Sequence, residues 1–274
     1  VDGDSLLVAL TWKNSIARYR LSDFTLIQEW GQDFLKAPRG IALSHDRIAV
    51  SDNLNQRIVL YDKQGKLLKT FSHFPNTFNT PESFGGPVGI RFNEKQEIMV
   101  AQALTHMIHK YDSEGKLIQY SGKIRNLAFQ LSYPVSLSAF IKQFIICDFY
   151  NYRVQVYDAR GIHQKTIVPF NLPKDALYGK DGKIYVADYE DSYQNGRIRV
   201  YDTGWNLIRT LSFPYFFPLK LAMDTDKNLY ATDYIMNRVY QISTVDYQIK
   251  NMFQGQTGSK YGIDIHPKTG MIYV

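Results

Sequence analysis

Residues 38–71 run Pro38-Arg39-Gly40-Ile41-Ala42-Leu43, then Arg47-Ile48-Ala49-Val50-Ser51-Asp52, then Arg57-Ile58-Val59-Leu60-Tyr61-Asp62, then Gly65-Lys66-Leu67-Leu68-Lys69-Thr70-Phe71. Four short apolar segments alternate with a period of two and are split by turn residues. That period gives strands with one face buried. In the turn Tyr61 to Gly65 the Asp62 carboxylate can accept from its own turn backbone, and glycine supplies φ > 0. The proline at the head fits a strand's first position, where no ladder donor is needed.

The same order returns from Pro87, Pro134, Pro173 and Pro218, at intervals of 49, 47, 39 and 45 residues. Tyr111-Asp112 to Gly115 and Tyr157-Asp158 to Gly161 repeat the turn. Four antiparallel strands per unit of about 40–50 residues is the arithmetic of a β-propeller. We label the strands of each unit a to d. The N-terminus supplies strands b, c and d (Leu6 to Leu10, Ile16 to Arg20, Leu26 to Trp30), and Tyr261 to His266 supplies the missing a. The prediction is an all-β, six-bladed propeller of four-stranded blades, its ring closed by pairing of the N- and C-terminal segments. The blades fall at 1–31 with 260–274, 36–71, 85–121, 132–168, 171–212 and 216–254. Met271-Ile272-Tyr273-Val274 looks like a second strand b. It implies either an extra or swapped pairing, or an incomplete seven-bladed ring.

These units resemble the NHL repeat family. The match runs through Pro38-Arg39-Gly40, Val50-Ser51-Asp52, Asn55-Gln56-Arg57-Ile58 and Tyr61-Asp62, with Asn151-Tyr152-Arg153-Val154 and Asn237-Arg238-Val239 repeating part of it. The resemblance implies the fold over nearly the whole chain. It does not choose among the RNA-binding, protein-binding, extracellular-sensor and amidating-lyase members, because function sits in sites grafted onto folds.

Bulk composition narrows the classes. The chain has 274 residues, 45% hydrophobic and 21% charged, which is enough to bury a core without staples. Net charge is +6, but no run of five Lys/Arg occurs, so dedicated nucleic-acid binding is disfavoured. Cys147 is the only cysteine and lies in the apolar run Phe144-Ile145-Ile146-Cys147, where a small core residue is expected rather than a reactive thiol. No apolar run reaches 18 residues, so no membrane-spanning helix is expected. The sequence opens on Val1, which fits export with cleavage as well as a trimmed start. With few cysteines and a Tyr/Asn-rich composition, it leans toward an extracytoplasmic setting: periplasmic, cell-surface or secreted.

Comparing the units with one another exposes a covariation. Strand b ends in Asp52, Asp148, Asp188 and Asp233, and strand c opens on Arg57, Arg153, Arg197 and Arg238. The two remaining units depart at both positions together, with Leu10/Ser15 and Gln102/Met107. Losing one member of a partly buried pair costs more than losing both, so these are read as structural ion pairs across the b–c loop, not as catalytic carboxylates.

In a propeller the d–a and b–c loops share one face, and here they are aromatic. Trp12, Phe149, Tyr150, Tyr152, Tyr189, Tyr215, Phe216 and Tyr234, with Arg39, Lys174 and Lys220, are the candidate binding residues. Exposed loop aromatics read as a surface for a protein or glycan. The six histidines (His45, His73, His106, His109, His163 and His266) do not recur at one channel position. No P-loop, nucleophile elbow or Cys/His metal spacing occurs. The reading is a non-catalytic binding or scaffold module, possessing no cofactor, metal or catalytic residue and taking a protein or glycan partner, alone or as a subunit of a larger assembly. Its alternatives are a metal-dependent hydrolase or lyase working in the channel, and single-stranded RNA binding through the loop face.

Overall fold

The computed structural model describes residues 5–20, 23, 25–75, 81–83, 85–93, 95–121, 131–140, 143–189, 196–233, 235–236, 238–254, 264–265 and 272–273. The first sheet runs β1 (Ser5–Leu10), β2 (Ser15–Arg20), β3 (Leu26–Trp30). The second runs β4 (Pro38–Leu43), β5 (Arg47–Asp52), β6 (Arg57–Asp62), β7 (Leu67–Phe71). A short hairpin, β8 (His73–Pro75) and β9 (Pro81–Ser83), precedes the third sheet: β10 (Pro87–Phe92), β11 (Ile98–Gln102), β12 (Met107–Tyr111), β13 (Leu117–Ser121). The fourth contains β14 (Pro134–Phe140), β15 (Gln143–Asp148), β16 (Arg153–Asp158) and β17 (His163–Ile167). The fifth runs β18 (Leu172–Tyr178), β19 (Ile184–Tyr189), β20 (Gly196–Tyr201), β21 (Leu207–Ser212). The sixth runs β22 (Pro218–Met223), β23 (Leu229–Asp233), β24 (Arg238–Ile242), β25 (Ile249–Gln254). These meanders are the blades of an all-β propeller. The helical pieces among the described residues are two single 3₁₀ turns, Thr11–Lys13 and Phe149–Asn151.

At the C-terminus β26 (Asp264–Ile265) pairs with β27 (Ile272–Tyr273), in the register Asp264↔Tyr273. The stretch expected to compete as a second strand b is thus the partner that β26 takes. Residues 1–4, 260–263, 266–271 and 274, which the expected closure also invoked, lie outside the described residues.

The chain forms two compact units, residues 1–139 with 158–163, and 140–157 with 164–274. In the first, the β4–β7 sheet is apolar on both faces. Ile48, Val50, Val59 and Tyr61 pack with Leu7, Ile16 and Leu35 on one side. Ala49, Ile58 and Leu60 pack with Ile90, Ile98, Val100 and Tyr111 on the other. In the second unit Tyr185, Ile198 and Val200 pack with Leu221, Leu229, Ala231, Tyr240 and Ile242. Each fully buried Ile, Leu or Val contributes about 1.5–3 kcal/mol. Strand d is mostly outside the core: Leu67 to Thr70 and Leu207 to Thr210 are exposed, although Leu211 at the end of β21 joins the second cluster.

The glycine of Pro38-Arg39-Gly40 has a packing cause. A Cβ there would lie 2.4 Å from the Val88 carbonyl oxygen, on strand a of the next blade. The turn chemistry also forms as expected. Asp62 Oδ1 accepts from the N–H groups of Gln64 and Lys66 at 3.0 and 2.8 Å, and Gly65 adopts φ 84°. Asp112 and Asp158 repeat this arrangement with Gly115 and Gly161.

Candidate binding face

The b–c loops share one build. Four residues separate strands b and c in blades one to four, and the last of them is left-handed: Asn14, Gln56, His106 and Tyr152, at φ 50–59°. The second of the four projects outward. In the first unit these are Trp12, Leu54 and Leu104, at 90%, 60% and 62% exposure. In the second unit Tyr150 and, at the same place in the sixth blade, Ile235 are 54% and 50% exposed. Tyr152 and Tyr215 are exposed as well. The sequence reading singled out the aromatics and passed over Leu54, Leu104 and Ile235. Aligning the loops by position would have found them.

Three of the predicted face residues belong to the core instead. Phe216 is fully buried, edge-on to Tyr240 at 4.9 Å and to Phe213 at 5.2 Å. Tyr189 is buried and packs edge-on against Phe217 at 6.0 Å. Phe149 is buried beneath Tyr150, their centroids 4.8 Å apart. In each case the ring covers apolar surface that a strand end would otherwise leave wet, which is why loop position alone misplaced it. Tyr234 lies outside the described residues.

The strand-end aspartates are fully buried and hold the loops. Asp52 accepts from Arg57 Nε at 2.7 Å, Asn55 Nδ2 at 2.9 Å and the Lys36 N–H at 2.6 Å. Asp148 takes Arg153 Nε at 2.7 Å and Gln155 Nε2 at 2.8 Å. Asp188 pairs with Arg197 at 3.1 Å and Arg199 at 3.2 Å, and accepts the N–H groups of Asn171 and Leu172 at 2.9 Å. Burial nevertheless pushes the Asp188 carboxyl above its ordinary value. Asp233 opposes Arg238 in the ladder and accepts the Phe217, Ile235 and Met236 N–H groups. Burial raises it too, against the pull of those bonds and of Arg238. Each Asp whose connector bonds are seen therefore fixes the chain entering strand a, a second duty that loop spacing did not reveal.

In the third blade the place of the Asp–Arg pair is taken by a buried neutral chain. Gln102 Nε2 lies 3.3 Å from His109 Nδ1, which lies 2.8 Å from the Tyr111 hydroxyl. Burial lowers the His109 imidazole to about 4. The fourth blade makes the equivalent chain with Gln155 and Tyr157, at 2.8 Å.

Strand a begins with a register shift after its proline, between Pro38 and Gly40 in β4 and between Pro173 and Asp175 in β18. Arg39 and Lys174 therefore occupy equivalent bulge positions. Arg39 is exposed. The Lys174 ammonium lies 4.0 Å from the Phe149 centroid and 4.9 Å from that of Tyr189. Burial lowers it to about 8, an effect the two ring faces partly offset. Lys220 is tied to Asp175 at 3.2 Å, and the Leu221 N–H donates to the same carboxylate at 3.0 Å. Lys220 therefore serves an ion pair rather than an open cationic surface. Cys147 is fully buried beside Asp175, Asp188 and Asp148, and its thiol is pushed well up, first by burial and then by those carboxylates. Among the described residues no group of three His, Cys, Asp or Glu is disposed to hold a metal ion. No described helix is long and apolar enough to cross a membrane.

The architecture matches known structures while the sequence does not. A streptogramin B lyase structure superposes with a TM-score of 0.79 and 16% identity, over 99% of this chain and 87% of that one. An inactive histidine-to-alanine variant of virginiamycin B lyase from Staphylococcus aureus, with quinupristin, gives 0.76 and 15% over 97% and 87%. A protein of unknown function from Bacteroides caccae gives 0.66 and 12% over 92% and 94%. No family model and no curated protein matches the chain. At these identities the likeness shows the six-bladed propeller fold alone.

Proposed function

We propose that the chain is a non-catalytic binding module of the NHL type, whose b–c and d–a loop face docks a protein. One observation carries this. A large apolar side chain stands exposed at the same loop position in five blades: Trp12, Leu54, Leu104, Tyr150 and Ile235. Packing does not require it, because an exposed tip is free to be polar. The aliphatic members favour a protein over a glycan. Sugars stack on flat aromatic faces, whereas Leu and Ile suit the apolar core of a protein interface.

The experiment is a paired capture. A photo-crosslinking residue placed at the exposed position 13, beside the first tip, is carried by the native sequence and by a Trp12→Ser/Leu54→Ser/Tyr150→Ser variant of unchanged thermal stability. A defined protein crosslinked by the first and lost with the second supports docking. Equal capture by both removes it.

The structural likeness to lyases motivates the second reading. Among the described residues no histidine lies on an inner strand a. His45 sits in an a–b turn, His106 accepts the Tyr133 N–H at 2.9 Å, and His109 is buried in β12. His266 lies outside the described residues. Incubation with quinupristin and a divalent cation is expected to return it unchanged. Ring opening would establish lyase chemistry.

A further inference from the structure

In the first unit the exposed tips share their face with a charge bias, and hydrogen bonds stitch both into one patch. Thr11 Oγ1 donates to the Pro38 carbonyl at 2.8 Å, and the Ala37 N–H donates to Asn14 Oδ1 at 2.9 Å. The loop bearing Trp12 therefore lies along the connector that enters β4. The same connector meets the next loop, where the Leu54 N–H donates to the Lys36 carbonyl at 3.0 Å. Trp12 and Leu54 are the exposed apolar tips of this patch, and Lys13, Lys36 and Arg39 are exposed beside them. Asp33 is the exposed acid of the connector. Asp52 is buried and taken by Arg57, Asn55 and the Lys36 N–H. By sequence the b–c and d–a loops of this unit, with the β4 bulge, hold Lys13, Lys36, Arg39, Lys123 and Arg125 against Asp33 and Glu82. Its a–b and c–d turns mix the signs instead, with Asp23, Asp46 and Glu114 exposed among Arg20, Lys66, Lys95 and Lys116.

We propose that this patch takes an acidic segment of the docked protein, one that carries large apolar side chains among its carboxylates. The apolar groups cover Trp12 and Leu54, and the carboxylates meet Lys13, Lys36 and Arg39. Complementary charge of this kind sets register and steers encounter. The hydrogen bonds that join the loops to the connector already fix the backbone, so ordering on binding falls on the side chains. Single-stranded RNA would also meet the cations, but it needs rings for its bases to stack on, and Leu54 offers none. The inference rests on the docking reading and narrows it to a partner chemistry.

The test uses the full chain and rhodamine-labelled probes, followed by fluorescence anisotropy at low salt. The probes are a Glu/Leu/Phe peptide, the same peptide with Lys for Glu, a Glu/Ser peptide and an oligouridine. Each exposed ion pair contributes little, so three together are expected to favour the Glu/Leu/Phe peptide over its Lys counterpart by about tenfold, and high salt should erase that preference. The Glu/Ser peptide should bind more weakly, for want of apolar cover on the tips. Lys36→Gln/Arg39→Gln should bring the preference within about threefold, and Trp12→Ser should weaken the acidic peptide further. Equal binding of the acidic and basic peptides overturns the acidic class and leaves docking of an apolar segment standing. A preference that survives Lys36→Gln/Arg39→Gln overturns the patch. Tighter binding of oligouridine overturns the protein class here. Absence of binding by every probe overturns this inference alone, since the paired capture decides docking separately.

Discussion

Replacing Asp52 by leucine tests the loop latch where its geometry is most fully seen. The carboxylate is fully buried and accepts three donors, Arg57 Nε, Asn55 Nδ2 and the Lys36 N–H, at 2.6–2.9 Å. Breaking a buried pair by removing one partner costs about 3–5 kcal/mol. Arg57 keeps some satisfaction, because its guanidinium still donates to the Phe34 carbonyl and lies 4.0 Å from the Phe34 ring. The lower end, about 3 kcal/mol, is therefore expected for Asp52→Leu. The double variant Asp52→Leu/Arg57→Ser reproduces the Leu10/Ser15 pair of the first blade. Removing the stranded guanidinium should return about 1–2 kcal/mol relative to the sum of the single effects. Urea unfolding followed by fluorescence is the assay, since Trp30 packs edge-on against Tyr61 at 6.0 Å and reports on this core. The reasoning fails if Asp52→Leu costs less than about 1 kcal/mol, or if the two substitutions are additive.

Three further outcomes are expected. His109 is held near pH 4 when folded and titrates near 6.5 when unfolded, so its contribution is complete above pH 6.5 and drains away as pH falls. The native chain should lose about 2 kcal/mol between pH 7 and pH 5 through this group, and His109→Gln, which copies Gln155, should flatten that part of the profile; parallel profiles would refute it. Adjacent residues should separate core from face. Phe216→Ala is expected to cost about 3–5 kcal/mol in urea unfolding while Tyr215→Ser stays within about 0.5 kcal/mol, and comparable losses would show that Tyr215 packs. Gly40→Ala drives a Cβ against the Val88 carbonyl and should cost about 1–3 kcal/mol, and unchanged stability would mean that the inner strands can move apart.

Much of the fold was legible because a repeat states its pattern several times. Alternation gave the strands, and Asp62, Asp112 and Asp158 with their glycines marked the c–d turns. The paired departure at Leu10/Ser15 and Gln102/Met107 pointed to ion pairs, and Asp52, Asp148 and Asp188 form them at 2.7–3.1 Å. The misplaced residues share one cause. Phe149, Tyr189 and Phe216 sit in loops by sequence, but whether a loop ring turns in or out depends on the neighbouring strand end it can cover, and periodicity ends where the loop begins. Backbone strain was equally invisible. Ala37 and Tyr133 adopt φ 50° and 55° although each precedes a proline, a position biased toward extended backbone. The connector contacts hold that turn: Lys36 N–H binds Asp52, and Tyr133 N–H binds His106.

An exposed apolar residue is by itself ordinary, so the docking reading turns on where such residues fall. Many line the outer strand d, as Leu26, Ile27, Leu67, Leu68, Leu207 and Ile208 do, where strand propensity at a sheet's outer edge suffices to explain them. The a–b and c–d turns carry mostly charge instead: Asp46, Lys66, Glu114, Asp226 and Lys227 are exposed there, with Ile162 and Val245 as exceptions. Turn chemistry accounts for the aspartates, and solvation for the rest. Neither cause reaches the b–c tips. Trp12, Leu54, Leu104, Tyr150 and Ile235 lie outside the strands; Tyr150 packs over the buried Phe149 ring, and the other four stand 50–90% exposed. If drift filled these positions, polar residues would predominate as they do in the opposite turns. The docking proposal rests on this recurrence of large apolar groups at one loop position, seen in each unit taken by itself.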